Sequence, residues 1–199
     1  MSDYLVGIAI SGKMGSGKTT LADELLKQVL EHCPNDAHAT KVSLATPVKQ
    51  VAYDYFLMPT DEKDRELLQQ IGQRFRQIKN MVWVDLLLDH VQGLWDTTPC
   101  EFVICDDMRF QNELEALQAD GWFTIRLTVD EEEQKRRLEK AYGEEWDTHW
   151  ENRNEISETD LDGIEGFNLT IHNLLLEDVP HTASEIIETI TEWIMRPQP

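Results

Sequence analysis

The sequence is poor in basic residues: 18 Lys and Arg stand against 38 Asp and Glu among 199 residues, a formal charge of −20. Such a surface repels nucleic acid and anionic membranes at long range, because neutralising phosphates takes clustered Lys and Arg. An anionic substrate must therefore meet a local gathering of the few cations. Cysteine is scarce as well. Cys33, Cys100 and Cys105 form no CxxC pair and indicate neither a disulfide framework nor a zinc site. No apolar run approaches the roughly 20 residues of a membrane span. The start, MSDYLVGIAISGK, lacks the basic segment and small-residue cleavage site of a signal peptide. The expected location is the cytoplasm, a host cytoplasm if the protein is viral. With 41% apolar residues and no repeat, low-complexity tract or linker, residues 1–199 read as one globular domain.

Two kinds of period alternate along the chain. Residues 4–10, YLVGIAI, form an apolar run without polar alternation, the mark of a buried parallel strand. From Gly17 to about His32, Leu21, Leu25, Leu26, Val29 and Leu30 recur at helical spacing, with Cys33-Pro34-Asn35-Asp36 as the stop. A weaker strand, Val42-Ser43-Leu44-Ala45, is expected to end at Pro47, before a helix carrying Val48, Val51, Ala52 and Phe56. Two helices follow between Asp61 and Asp96. Phe102–Cys105 is the second clear strand, running into Asp106-Asp107 and a helix that ends at Asp120-Gly121. WFTIRLTV (122–129) is a further strand, after which Asp130 caps a charged helix that Gly143 closes. Residues 144–167 are polar and without apolar period. FNLTI (167–171) reads as the last strand and 183–194 as the last helix. The expected fold is α/β, three-layered, with a mostly parallel five-stranded sheet and a lid at about 131–160.

Gly12-Lys13-Met14-Gly15-Ser16-Gly17-Lys18-Thr19 fits G-x-x-x-x-G-K-[ST], after a predicted strand and opening a predicted helix. The glycines let backbone N–H groups turn inward around a β-phosphate, and the helix start adds positive dipole. Lys18 would bridge the β- and γ-phosphates of ATP and the Thr19 hydroxyl would reach Mg²⁺, with Thr20 beside them. A GTPase should add an N-K-x-D segment and a transporter ATPase an LSGGQ-like signature, and neither is present. The AAA+ class normally needs a longer module with a helical lid domain, so the length argues against it. Small phosphotransferases lead.

A neighbouring strand in such an enzyme should end in an acid that serves Mg²⁺ or the acceptor. Here there are two, Asp106 and Asp107, and spacing does not choose between them; whichever is not used can cap the following helix. Arg109, two residues on, is suited to grip a phosphate bidentately. Further along, Lys135, Arg136, Arg137 and Lys140 lie in one helix and Arg153 follows. Arginines from a closing lid can neutralise the moving phosphoryl group, and Arg137 and Arg153 are the lid candidates. The same residues also read as solvated pairs with Glu131 to Glu133 at i,i+4 spacing. His149, between Trp146 and Trp150, could stack on a base or anchor its segment to the core, and Cys105 reads as a small core residue.

With these segments in hand, the chain resembles the phage-type deoxynucleoside monophosphate kinases, a branch of the phosphate-loop nucleotide kinases. The resemblance rests on SGKMGSGKTT, on LATPVKQVA (similar to Ala-x-Pro-Leu-Lys), and on LQQIGQRFR ahead of Trp83-Val84. It continues with DMRFQNELEAL (similar to Asp-x-Arg-Phe-x-Asn-Glu), ISETDLD (similar to Ser-Glu-x-x-Leu), and TIHN at the end of the last strand. It implies ATP-dependent transfer to a 5′-deoxynucleotide, giving the diphosphate. It also favours Asp107 as the motif aspartate with Arg109 as partner, matches Lys49, Arg76 and Glu158 to the acceptor side with Arg74 nearby, and sets Asn173 by the ATP. Two segments depart from the pattern: GQRFRQ replaces a Gly-Thr start, and LLLEDVPHT (174–182) replaces a short Asn-Asp-Gly turn.

Nine of the 18 cations (Lys13, Lys18, Lys49, Arg74, Arg76, Arg109, Arg136, Arg137 and Arg153) lie in or beside these segments, while residues 154–195 contain none. That distribution suits a free nucleotide in a small basic cleft. A kinase of a modified base or a polynucleotide end would want a basic groove flanked by aromatics. The other rival is an ATP-holding regulatory ATPase without an acceptor. The expected partners are small nucleotides, not a nucleic-acid polymer or a membrane, with a homodimer left open.

Overall fold

The structure is a computed structural model that describes residues 6–32, 38–61, 64–97 and 100–195. Five strands form one sheet: β1 (Val6–Gly12), β2 (His38–Val42), β3 (Cys100–Met108), β4 (Phe123–Thr128) and β5 (Leu169–His172). Their order is β2-β3-β1-β4-β5, and every neighbouring pair is parallel. β1 at the centre is buried throughout, which explains its unbroken apolar run. Successive side chains point to opposite faces. Ala9, Val103 and Cys105 enter one core, while Ile8, Ile10 and Ile104 enter the other.

Helices cover both faces. α1 (Lys18–His32) and the last helix, α9 (Val179–Met195), pack on the side of Ile8 and Ile10 through Leu21, Leu25, Ala183, Ile186 and Ile190. The opposite side carries α2 (Ala45–Phe56), α3 (Arg65–Ile78), α4 (Val82–Thr97) and α5 (Gln111–Ala119). Its core includes Val48, Ala52, Ile71, Trp83, Leu87 and Leu114. The buried Trp83 stacks on Phe75 at 5.4 Å and donates its indole N–H to the Gly72 carbonyl at 3.1 Å, which fixes α3 against α4. Among the described residues no helix is long and apolar enough to cross a membrane.

Several local expectations shift. The second strand ends at Val42 instead of running through Ser43-Leu44-Ala45, and Pro47 lies in the first turn of α2. A proline is tolerated there because its missing N–H has no acceptor within the helix. The cause of the early exit lies across the sheet: the Asp107 carboxylate accepts from the Ser43 hydroxyl at 2.6 Å and from the Leu44 and Ala45 N–H groups at 3.0 Å. Residues that a strand would have paired are instead held by an acid from β3. The last helix starts at Val179, four residues before its expected start. Asp130 stands at the N-cap of α6 (Glu131–Tyr142) without a side-chain capping bond. Its carboxylate receives the Asn173 amide at 2.6 Å instead, while its own N–H donates to Asn173 Oδ1 at 2.9 Å. The polar stretch after Gly143 folds as short turns, including α7 (Trp146–Glu151) and α8 (Ile156–Thr159). The Cys33–Asp36 stop and residues 4–5 of the first expected strand lie outside the described residues.

Candidate active site

The phosphate loop joins β1 to α1 at the centre of the sheet. Gly15 and Gly17 have φ of 77° and 99°, backbone that side chains rarely adopt. At Gly12 the constraint is space: a Cβ would stand 2.5 Å from Ser16 Oγ and 2.6 Å from the Leu127 carbonyl oxygen. The Ser16 hydroxyl is buried and has no hydrogen-bond partner among the described residues, an orphan polar group of the kind a ligand oxygen satisfies. Lys18 reaches back over the loop to the Gly12 and Lys13 carbonyls at 2.6 and 3.0 Å. Burial, with the Arg109 cation close by, pulls its ammonium down to about 8. Thr19 and Thr20 are exposed at the start of α1. Thr20 also lines a surface groove of ≈ 410 Å³ shared with Asp23, Lys27, Leu176 and Pro180, which is where the departing 174–182 segment lies.

The two aspartates of β3 have different surroundings. Asp107 is committed to the α2 entrance, as described, and also receives the Cys105 thiol at 3.2 Å. It caps the helix before it in space, not the one after it in sequence. Asp106 pairs with Lys41 of β2 at 3.2 Å, which in turn pairs with Asp23 of α1 at 2.8 Å. Asp106 also acts electrostatically on Lys18, so it faces the phosphate loop. Cys105 is fully buried, its thiol pushed well above the usual range by burial.

Beyond the strand end, Arg109 and Arg76 converge through buried carboxylates. Glu113 accepts from the Arg109 and Phe110 N–H groups at 2.8 and 3.1 Å and from the Arg76 guanidinium at 2.9 Å. It thereby caps α5 and fixes Arg76 in one move. Burial raises the Glu113 carboxyl above the usual carboxylate range. Arg76 also lies over the Phe110 ring at 4.1 Å, a cation–π contact. Arg109 pairs with Glu158 of α8, which is only 6% exposed and also accepts the Met14 N–H of the phosphate loop at 2.7 Å. Through Glu158 and Glu113, Met14 of the phosphate loop, Arg109 and Arg76 thus form one connected group, with Lys18 close enough to feel the Arg109 charge. Lys49 is half-buried on α2 and takes part in no ion pair among the described residues. Arg74 does not join: it is exposed and donates to Gln77 of its own helix. Two residues along a helix turn the side chain by about 200°, so Arg74 and Arg76 cannot share a face.

The lid arginines divide in the same way. Arg137 reaches the Gly15 and Ser16 carbonyls at 3.2 and 3.4 Å and the Leu174 carbonyl at 2.8 Å. Gln134 adds a bond to the Met14 carbonyl at 2.8 Å, so α6 lies on the phosphate loop. Glu133 holds Arg136 and Arg137 together, and both guanidiniums pull its carboxyl down to about 2. Arg153 stacks on Trp150 at 4.3 Å and donates to that residue's carbonyl, remaining within its own segment. His149 is buried against the Tyr142 ring and contacts Arg65 of α3 at 3.0 Å, an anchor between lid and α3. Burial first, and Arg65 second, lower its pKa. Asn173 turns its amide to Asp130, setting the start of α6, not toward the loop. Three residues of this region escaped the sequence reading: Arg126, Asp162 and Ser11. Only Arg126 left a signal, as the lone charge inside an apolar strand.

The family model described as an AAA domain (AAA_18) matches residues 8–159. The chain belongs to this family. Length is therefore no argument against the AAA description, because this AAA domain spans the phosphate loop through α8 without needing a longer module. No curated protein matches the sequence. Solved structures with the same fold include TT1252 from Thermus thermophilus, at TM-score 0.56 and 16% identity over 94% of this chain and 98% of that one. They also include shikimate kinase from Acinetobacter baumannii in complex with shikimate, at TM-score 0.52 and 14% identity over 96% of each chain. A third is the Mycobacterium tuberculosis APS kinase CysC in complex with AMPPNP and APS, at TM-score 0.52 and 13% identity over 96% of this chain and 99% of that one. This AAA domain thus has a P-loop kinase-like fold, with all five strands parallel in one sheet.

Proposed function

We propose that the protein is an ATP-dependent kinase that transfers the γ-phosphate to a deoxynucleoside 5′-monophosphate, giving dNDP and ADP. The observation that carries this reading is the path Met14–Glu158–Arg109–Glu113–Arg76, which joins a phosphate loop to a second pair of cations. A regulatory nucleotide holder has no need of that second pair. The motif resemblance, running from the phosphate loop to TIHN, supports a deoxynucleotide as acceptor. The likeness to structures of kinases supports the fold on which this chemistry is built.

In this reading Lys18 and the loop N–H groups hold the transferring phosphates of ATP, and Arg137 reaches the same loop from the lid. Arg109, Arg76 and Lys49 take the acceptor phosphate. Thr19 offers a hydroxyl and Asp106 a carboxylate, oxygen donors of the kind Mg²⁺ prefers, so both would hold the metal while Asp107 places α2. Bound there, Mg²⁺ supplies charge neutralisation at the β- and γ-phosphates. No side chain has to act as a strong base, because the attacking phosphate oxygen is already anionic at neutral pH. Positioning and charge neutralisation set the rate. With a net charge of −20 over the whole chain and half of its cations in or beside this cleft, a small nucleotide is favoured over a polymer.

The test is a coupled ADP-release screen of the purified protein against each common dNMP and NMP. ADP release that needs a deoxynucleoside monophosphate supports the reading. Release at the same rate without any acceptor overturns it in favour of an ATPase.

A further inference from the structure

The stretch from α8 to the turn after it places two carboxylates, Glu158 and Asp162, on the phosphate loop. Glu158 joins the Met14 N–H to Arg109, as described. Four residues later, Asp162 binds two cations at once: Lys13 of the phosphate loop at 2.7 Å and Arg126 of β4 at 3.0 Å. Arg126 is 8% exposed, and its other nitrogen donates to the buried Ser11 hydroxyl at 2.7 Å. The path Ser11–Arg126–Asp162–Lys13 therefore closes across Gly12, tying the last side chain of β1 to the first side chain of the loop.

An exposed ion pair contributes little as a rule. This one differs because Asp162 answers a guanidinium buried in the sheet, and a buried charge needs its partner. The loop it braces is rich in glycine and has little side-chain packing of its own. Glu158 then fixes the same loop at Met14 and delivers Arg109 beside it.

We propose that Asp162 is a positioning residue for phosphoryl transfer: acting through Lys13 and Arg126, and together with Glu158, it holds the entrance of the phosphate loop at a set distance from Arg109. The proposal rests on the kinase reading of this site and adds a residue to it. Both ion pairs of Asp162 are to the protein's own cations, so its effect belongs to the geometry of reaction and not to nucleotide affinity. Removing its charge leaves two cations free near the donor phosphates, which by electrostatics alone would tighten ATP binding.

The experiment compares the wild type with Asp162→Asn and Asp162→Glu, measuring kcat, KM for the acceptor, ATP Kd by equilibrium binding, and hydrogen exchange of the 12–17 amides. For Asp162→Asn we expect kcat to fall about tenfold, within the range a small misplacement costs. ATP Kd should be unchanged or tighter, and loop exchange should be faster. Asp162→Glu, which keeps the charge, should recover most of kcat. Unchanged kcat together with unchanged exchange overturns the proposal. So does a loss confined to ATP Kd. If Asp162→Asn fails to fold, Lys13→Gln opens the same path from its other end and is read by kcat and loop exchange alone, because it also removes a cation near the donor phosphates. Should the wild type phosphorylate no monophosphate, the kinase reading fails, while the exchange comparison still decides whether Asp162 braces the loop.

Discussion

The phosphate loop and the proposed acceptor side are both cationic, yet they are built in opposite ways. The loop is eight consecutive residues whose positive character comes from backbone N–H groups, a helix start and two lysines, Lys13 and Lys18. Its geometry depends on glycines at Gly12, Gly15 and Gly17. The acceptor side draws single side chains from α3, the end of β3, α5 and α8, and each arginine there is fixed by a buried carboxylate: Arg76 by Glu113, Arg109 by Glu158. A contiguous cradle takes its shape from its own backbone, with bracing contacts from Glu158, Gln134 and Arg137. A dispersed one needs a counter-charge at every position, which is where part of the acidic excess is used.

The sharpest way to break this contrast is at the lysine. Lys18→Ala should lower transfer by about 10³-fold, the scale of losing a principal electrostatic stabiliser of the transition state. Its melting transition should stay near that of the wild type, and coupled ADP release beside a thermal melt checks both. Near-normal activity would mean that the loop is not the donor site. On the acceptor side, Arg109→Ala should raise KM for the monophosphate by about 30-fold, the equivalent of a charged hydrogen bond worth about 2 kcal/mol. KM for ATP should move far less. Equal shifts in both constants would dissolve the distinction between the two regions.

A smaller effect comes from pH. The free protein holds Lys18 at about 8, chiefly by burial, and bound phosphate favours the charged ammonium. Binding of ATP therefore takes up a proton above pH 8, and its affinity falls as pH rises there, by at most about tenfold per pH unit. Below pH 8 the ammonium is already formed and this dependence vanishes. Calorimetry in buffers of different ionisation enthalpy measures the proton uptake, and none at pH 9 would contradict the assignment. The least effect is expected at Arg74, which lies on the exposed face of α3: Arg74→Ala should leave KM for both substrates within about twofold, as surface changes away from a site usually do. A large acceptor effect there would show that α3 turns on binding.

The same contrast explains what could be read in advance. The strand–loop–helix unit around Gly12–Thr19 was legible because its period, glycines and helix start are local. The DMRFQNE segment was visible as a motif, but Glu113 was only a letter in it until the fold showed its carboxylate holding three donors. Asp106 and Asp107 were indistinguishable by spacing. They separate because one looks toward Lys41 and Lys18 while the other caps α2, a partnership across 62 residues or more. The Ser43–Ala45 strand was misplaced for the same reason: the group that ended it comes from β3. Arg153 and Asn173 have the chemistry expected of site residues, but Arg153 bonds Trp150 three residues back and Asn173 bonds Asp130, 43 residues away, partnerships that no periodicity reveals.

By itself, the sequence determined the alternation of strand and helix, the parallel sheet and the phosphate loop, since these depend on burial patterns and backbone freedom repeated over a few neighbouring residues. Only the tertiary structure decided which cations face the loop, that Asp106 turns to Lys41 while Asp107 holds the α2 entrance, and that Glu158 and Asp162 return to contact the loop. The physical reason is charge compensation. A buried ion is placed by whichever partner the fold delivers to it, and that partner is set by packing across the sheet, not by distance along the chain.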